Sequence, residues 1–150
     1  VEDDAQYGQL LELLRENGET RFTVRENIGA TLTDRKEPFI ATFSTNSTLE
    51  EFDSKFNEFD EHFGMLIPHW YVYGQIPTWG IYIAEYPMIN IIGCANELTD
   101  SFRRVFKIEG NGYEQEMELL ERELKFLKDP IGRRIFFKNY KIKNAHQQGV

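Results

Sequence analysis

Ile67-Pro68-His69-Trp70-Tyr71-Val72-Tyr73, Trp79-Gly80-Ile81-Tyr82-Ile83-Ala84 and Met88-Ile89-Asn90-Ile91-Ile92-Gly93-Cys94-Ala95 are three successive runs of aromatic and β-branched residues. Gly74 to Thr78 separates the first two, and Tyr86-Pro87 separates the last two. Proline cannot donate to a strand ladder, so it marks strand ends, and the stretch reads as a three-stranded antiparallel meander. Sorting by parity leaves apolar residues on both sides: Trp79, Ile81 and Ile83 against Tyr82 and Ala84, and Ile92 and Cys94 against Ile89 and Ile91. A sheet with one wet face alternates more cleanly. The pattern predicts a cover on the second face as well as the first, supplied by this chain or by a partner.

The elements on either side fit such a sheet. Asp4 opens a helix with Tyr7, Leu10, Leu11 and Leu14 on one face, and Asn17-Gly18 ends it. Arg21 to Glu26 alternates as a strand, Ala30 to Thr33 reads as a second strand, and Phe39 to Ser44 is a further clear one after the polar turn Asp34 to Pro38. Ser47 with Glu50 forms a capping box, in which each satisfies an unpaired backbone donor of the other. The helix it opens carries Leu49, Phe52, Phe56, Phe59 and Phe63 on one stripe, and Glu50, Glu51, Asp53, Glu58, Asp60 and Glu61 elsewhere. Such a stripe is a core-facing surface, predicted to cover one face of the meander. Asn96 caps a short helix bearing Leu98, Phe102, Val105 and Phe106.

Gly110-Asn111-Gly112 breaks the chain, dividing it into an α+β domain, residues 1–110, and a helical extension, 111–150. The expected architecture is α+β: an antiparallel sheet of about five strands with a β-β-α-β-β-β core, covered by helices. In the extension, Met117, Leu120, Leu124 and Leu127 step at heptad spacing. Two heptads suit either dimerisation or packing against the domain. Asp129-Pro130 starts or kinks a last helix.

Charge is unevenly distributed. Residues 1–120 carry 9 basic and 22 acidic side chains (−13), and residues 121–150 carry 8 basic and 3 acidic (+5). The acidic body repels nucleic acid and anionic membranes, whereas the basic tail can attract either or fold back on the body. Nucleic acid is therefore not an expected partner except through that tail. No apolar run approaches the roughly 20 residues of a membrane span. The single cysteine, Cys94, excludes an internal disulfide and points to a reducing, cytoplasmic compartment. Asn46-Ser47-Thr48 matches a glycosylation sequon, but also suits a helix start.

Catalytic signatures are absent. There is no phosphate-cradling glycine loop, no G-x-S-x-G and no H-E-x-x-H. His62 and His69 could meet Asp60 or Glu61 at a metal, although their seven-residue spacing is wider than in recognisable zinc sites. Cys94, with no charged neighbour in sequence, reads as a small hydrophobe. No cofactor, metal or catalytic residue is expected. Trp70, Tyr71, Tyr73, Trp79 and Tyr82, together with the carboxylate of Glu85, form the densest candidate binding group. Residues 66–96 contain no Lys or Arg, which argues against base stacking on this sheet. Core packing, a protein interface or an apolar ligand pocket remain as readings of the group.

Gly29-Ala30-Thr31-Leu32-Thr33-Asp34 through Pro38-Phe39-Ile40-Ala41 resembles the first hairpin of roadblock and longin-type domains. The meander followed by Asn96-Glu97-Leu98 and a helix is similar to their second half. The resemblance spans about residues 4–107 and is one of layout. It departs from the family in the strand Arg21–Glu26 before the hairpin and in the basic extension after Gly112. It implies a non-catalytic, dimerising scaffold that engages small GTPases or assembles larger complexes. Three functions follow as expectations: an interaction module that dimerises and binds another protein, an acidic inhibitor of a basic nuclease or DNA-binding enzyme, and a small-ligand binder with its site around Trp70, Tyr82 and Glu85.

Overall fold

The computed structural model describes residues 3–28, 35–63, 69–85 and 88–108, without the side chains of 60–63, 85, 88 and 89. The chain divides into two compact units, Val1–Ile108 and Glu109–Val150. The expected strand Ala30–Thr33, the break at 110–112 and the helical extension with Met117, Leu120, Leu124 and Leu127 lie outside the described residues.

The elements follow in the order α1 (Asp4–Glu16), β1 (Arg21–Glu26), β2 (Ile40–Ser44), α2 (Leu49–Phe63), β3 (His69–Gly74), β4 (Trp79–Glu85), β5 (Met88–Cys94), a 3-10 turn (Asn96–Leu98) and α3 (Thr99–Val105). The fold is α+β. One antiparallel sheet runs β2-β1-β3-β4-β5, with the expected meander as its β3-β4-β5 half. β1 is a central strand, bonded to β2 on one side and to β3 on the other.

Two helix starts fall one residue away from the sequence reading. Asp3, not Asp4, caps α1, its Oδ1 accepting the Gln6 N–H at 2.7 Å. The capping box of α2 is Thr48 with Glu51, not Ser47 with Glu50. The Thr48 N–H donates to Glu51 Oε2 at 2.8 Å, and the Glu51 N–H donates to Thr48 Oγ1 at 3.2 Å. Ser47 is engaged elsewhere, donating through Oγ to the Ser44 carbonyl and meeting the Tyr7 hydroxyl at 2.8 Å. At α3 a 3-10 turn precedes the helix, and no side chain caps it. Gly18, at φ +79°, ends α1 in the left-handed conformation that glycine enters without steric cost.

All three described helices pack on one face of the sheet. α1 brings Tyr7, Leu10, Leu11 and Leu14 into the core. The phenylalanines of α2 meet the β2-β1-β3 half: Phe52 lies 4.8 Å from Phe43, and Phe56 and Phe59 each lie 5.1 Å from Trp70. α3 takes the β4 side, with the Phe102 ring tilted against Trp79 at 5.8 Å. Among the described side chains of the stripe, Phe56 and Phe59 meet the meander at Trp70 on its first strand. Burying each such aromatic stabilises the fold by about 1.5–3 kcal/mol. The expected cover on the second face is not supplied by any described helix.

Two buried carboxylates brace the ends of this layer. Glu19 follows the α1 C-terminus and is 2% exposed. It accepts three N–H groups from the β3–β4 hairpin: Gln75 at 2.8 Å, Ile76 at 3.0 Å and the Trp79 indole at 3.1 Å. Gly74 leaves the room it occupies, since a Cβ there would strike the Glu19 carboxylate and come within 2.7 Å of the Trp79 nitrogen. Glu26, at the end of β1, accepts the Phe39 N–H at 3.0 Å and pairs with the Arg35 guanidinium. Arg35 in turn lies over the Phe59 ring at 5.1 Å.

Candidate functional site

Side chains alternate across a strand, so the dense aromatic group of the sequence is split by the sheet itself. Trp70 and Trp79 point toward the helices and are 5% and 6% exposed. Both belong to the core cluster. Tyr71 and Tyr73 point the other way and are 43% and 37% exposed. Tyr82 shares their face, directly opposite Tyr71, with the two rings 5.2 Å apart. Glu85 shares the parity of Trp79 and Ile81, so its strand position belongs to the helix-covered face. Trp70 and Tyr82 therefore lie on opposite faces of the sheet, and Glu85 holds a strand position on the face of Trp70.

The register of β1 against β3 adds what the sequence of the meander lacks. Arg25 sits opposite Tyr71, and Thr23 sits opposite Tyr73. Arg21, two residues before Thr23, projects to the same face. Arg21 and Arg25 are exposed, and neither makes an ion pair among the described residues. On the far side of β1, Thr42 of β2 faces Thr23, with the two hydroxyls 3.3 Å apart. The open face thus presents two tyrosines beside two arginines, edged by threonines and by Ile40, which is 54% exposed. No acidic residue occupies a described strand position on it.

The tyrosines are held in place. The Asn27 amide donates to the Tyr71 hydroxyl at 3.1 Å. Tyr82 meets His69 Nδ1 at 2.7 Å. His69 is itself buried, and desolvation of its charged form holds its pKa below the ordinary histidine value. On the helix side, burial pushes the Tyr7 phenol up, partly opposed by its hydrogen bond to Ser47.

The remaining sequence candidates bring no reactive constellation together among the described residues. No group of three His, Cys, Asp or Glu side chains is placed to hold a metal. Of the proposed histidine pair, His69 is bonded to Tyr82, while the His62 side chain lies outside the described residues. Cys94 is half-buried against the core, with its Sγ 3.8 Å from the Thr99 hydroxyl. No described helix is long and apolar enough to cross a membrane.

No protein-family model matches the chain, and neither curated proteins nor solved structures yield a match. The reading of the site rests on its own chemistry.

Proposed function

We propose that this domain is a non-enzymatic interaction module that binds another protein through the open face of its sheet. One observation carries the reading: Tyr71 and Tyr73 stand exposed beside Arg21 and Arg25, on the face turned away from all three described helices. Tyrosine and arginine are the residue types enriched at the centres of protein interfaces. Their rings supply contact area at low entropy cost, and the guanidinium supplies directed donors. A rigid sheet presents them without a folding cost on binding. The scaffold role implied by the roadblock and longin resemblance agrees with this reading, by analogy of layout.

The test is capture of a partner from the native source on the immobilised full chain, repeated with Tyr71→Ala/Tyr73→Ala and with Arg21→Glu/Arg25→Glu. The reading expects each pair to weaken the retained partner at least tenfold, with circular dichroism unchanged. Full retention by both variants would overturn it. Dimerisation through Met117, Leu120, Leu124 and Leu127 belongs to the same proposal. Light scattering should give twice the chain mass, falling to the monomer with Leu120→Glu/Leu124→Glu.

A second reading, the acidic inhibitor, is favoured by the outer side of α2. There Glu50, Glu51, Asp53 and Glu58 are exposed, and the one described cation, Lys55, is bonded to Glu58. Binding to a basic enzyme would then fall steeply with salt and be lost on Glu50→Lys/Asp53→Lys.

A further inference from the structure

β2 is an outer strand of the sheet, and its ladder is one-sided. The Glu26 N–H donates to the Phe39 carbonyl at 2.9 Å, and the Thr45 N–H donates to the Thr20 carbonyl at 3.0 Å. In an antiparallel ladder bonded pairs alternate, so residues 39, 41, 43 and 45 turn their backbone groups to β1. Ile40, Thr42 and Ser44 turn theirs outward. The Ser44 carbonyl is taken by Ser47, through its N–H at 3.0 Å and its hydroxyl at 2.8 Å. The N–H and carbonyl groups of Ile40 and Thr42 are left facing out, with no strand beside them among the described residues.

Outer strands are usually blunted by a charge, a proline or a bulge that discourages a further strand. Ile40-Ala41-Thr42-Phe43-Ser44 has none of these, and its five residues pair with β1 in unbroken register. Beside it runs an open groove of about 520 Å³. Thr42, Phe43 and Ser44 form one wall of the groove, and one stripe of α2, through Glu50, Glu51 and Ser54, forms the other. The Lys55 ammonium at its rim is bonded to both oxygens of Glu58, at 3.0 and 2.8 Å. The wall facing the free edge is therefore acidic.

We propose that this edge is a second binding site, which takes an extended segment of a partner protein as a sixth strand, with a lysine or arginine of that segment lying against α2. The bonds of the added strand go to the Ile40 and Thr42 backbone. Its side chains alternate. Those on the helix side pass over Phe43, where a long basic stem can cover the ring while its charge reaches Glu50 and Glu51. Those on the other side extend the surface beside Ile40. Charge complementarity selects the occupant: an acidic segment would meet two exposed carboxylates. The site uses none of Tyr71, Tyr73, Arg21 and Arg25, so the two proposals stand or fall separately.

The test selects displayed random octapeptides on the full chain and measures the recovered peptides by fluorescence anisotropy. Recovered sequences are expected to alternate β-branched residues with lysine or arginine. Thr42→Pro removes an outward N–H that the ladder to β1 does not use and should weaken binding more than tenfold. Thr42→Val, which loses only the hydroxyl contact to Thr23, should change it less than twofold. Glu50→Lys, which leaves the Thr48–Glu51 capping box intact, should weaken binding with the melting curve retained, while Tyr73→Ala should change affinity less than twofold. Methylating alternate backbone nitrogens of a bound peptide should abolish binding in one phase and spare it in the other. Recovery of no peptide, recovery of acidic peptides, or affinity indifferent to Thr42→Pro would each overturn the proposal.

Discussion

The two faces of this sheet are built from the same kinds of residue and do opposite things. On one, Phe22, Phe43, Trp70 and Trp79 are sealed beneath three helices; on the other, Tyr71 and Tyr73 stand in water beside Arg21 and Arg25. Neighbouring residues of one strand, Trp70 and Tyr71, belong to different faces, so aromatic density along the chain does not identify a surface. What separates the faces is strand parity and the side the helices take. Tyr7 is buried in the core and the Trp79 indole N–H donates to Glu19, while Tyr71 and Tyr73 stand exposed.

The largest effect should separate the two directly. Trp70→Ala leaves a cavity between Phe39, Phe56 and Phe59 and should cost about 3–5 kcal/mol in denaturant unfolding. Tyr73→Ala, three residues along the same strand, should cost under about 1 kcal/mol. Equal costs would mean that the open face is also core.

Glu19 sharpens the contrast at the hairpin end. Glu19→Ala strands three donors of the β3–β4 turn and should cost about 3 kcal/mol or more. Glu19→Gln keeps an acceptor and should cost less. Hydrogen exchange at Gln75 and Ile76 should quicken before the rest of the sheet responds. A uniform response would assign Glu19 no special hold on the hairpin.

A smaller effect tests the border between the faces at His69. Its pKa is lowered in the folded state, so the unfolded chain takes up the proton more readily. Its contribution to stability is present above the ordinary histidine value of about 6.5 and is lost as pH falls through the folded-state value. Unfolding midpoints should therefore drop on acidification below about pH 6.5, and less so in His69→Gln. An identical pH dependence in the two proteins would remove His69 from the border.

Most of the architecture was legible in the sequence, and the reasons are local. Strict alternation located β1 at Arg21–Glu26, and prolines bounded the meander. The 3-4 stepping of phenylalanines located α2. The caps of α1 and α2 were displaced by one residue because Asp3 and Asp4, or Ser47 and Thr48, are adjacent residues that can each cap. Only their contacts distinguish them.

The site was less legible, because it is made by pairing between distant strands. The meander carries no Lys or Arg, yet β1 lies against it and places Arg25 opposite Tyr71. Nothing in either segment announces that register. Strand parity did hold a signal, since Trp70 and Tyr71 must face apart, but it could not say which face the helices take. Glu19 gave no signal, since its three donors lie 56 to 60 residues away.

Tyrosine nitration tests the central claim most directly, that one face is sealed and the other presents a binding surface. Mass spectrometry of the briefly treated free chain should find Tyr71 and Tyr73 modified well before Tyr7, which is buried beneath the helices. With a captured partner bound, Tyr71 and Tyr73 should be shielded. Modification of Tyr7 at the rate of Tyr73, or unchanged labelling of Tyr71 and Tyr73 in the complex, would contradict the account.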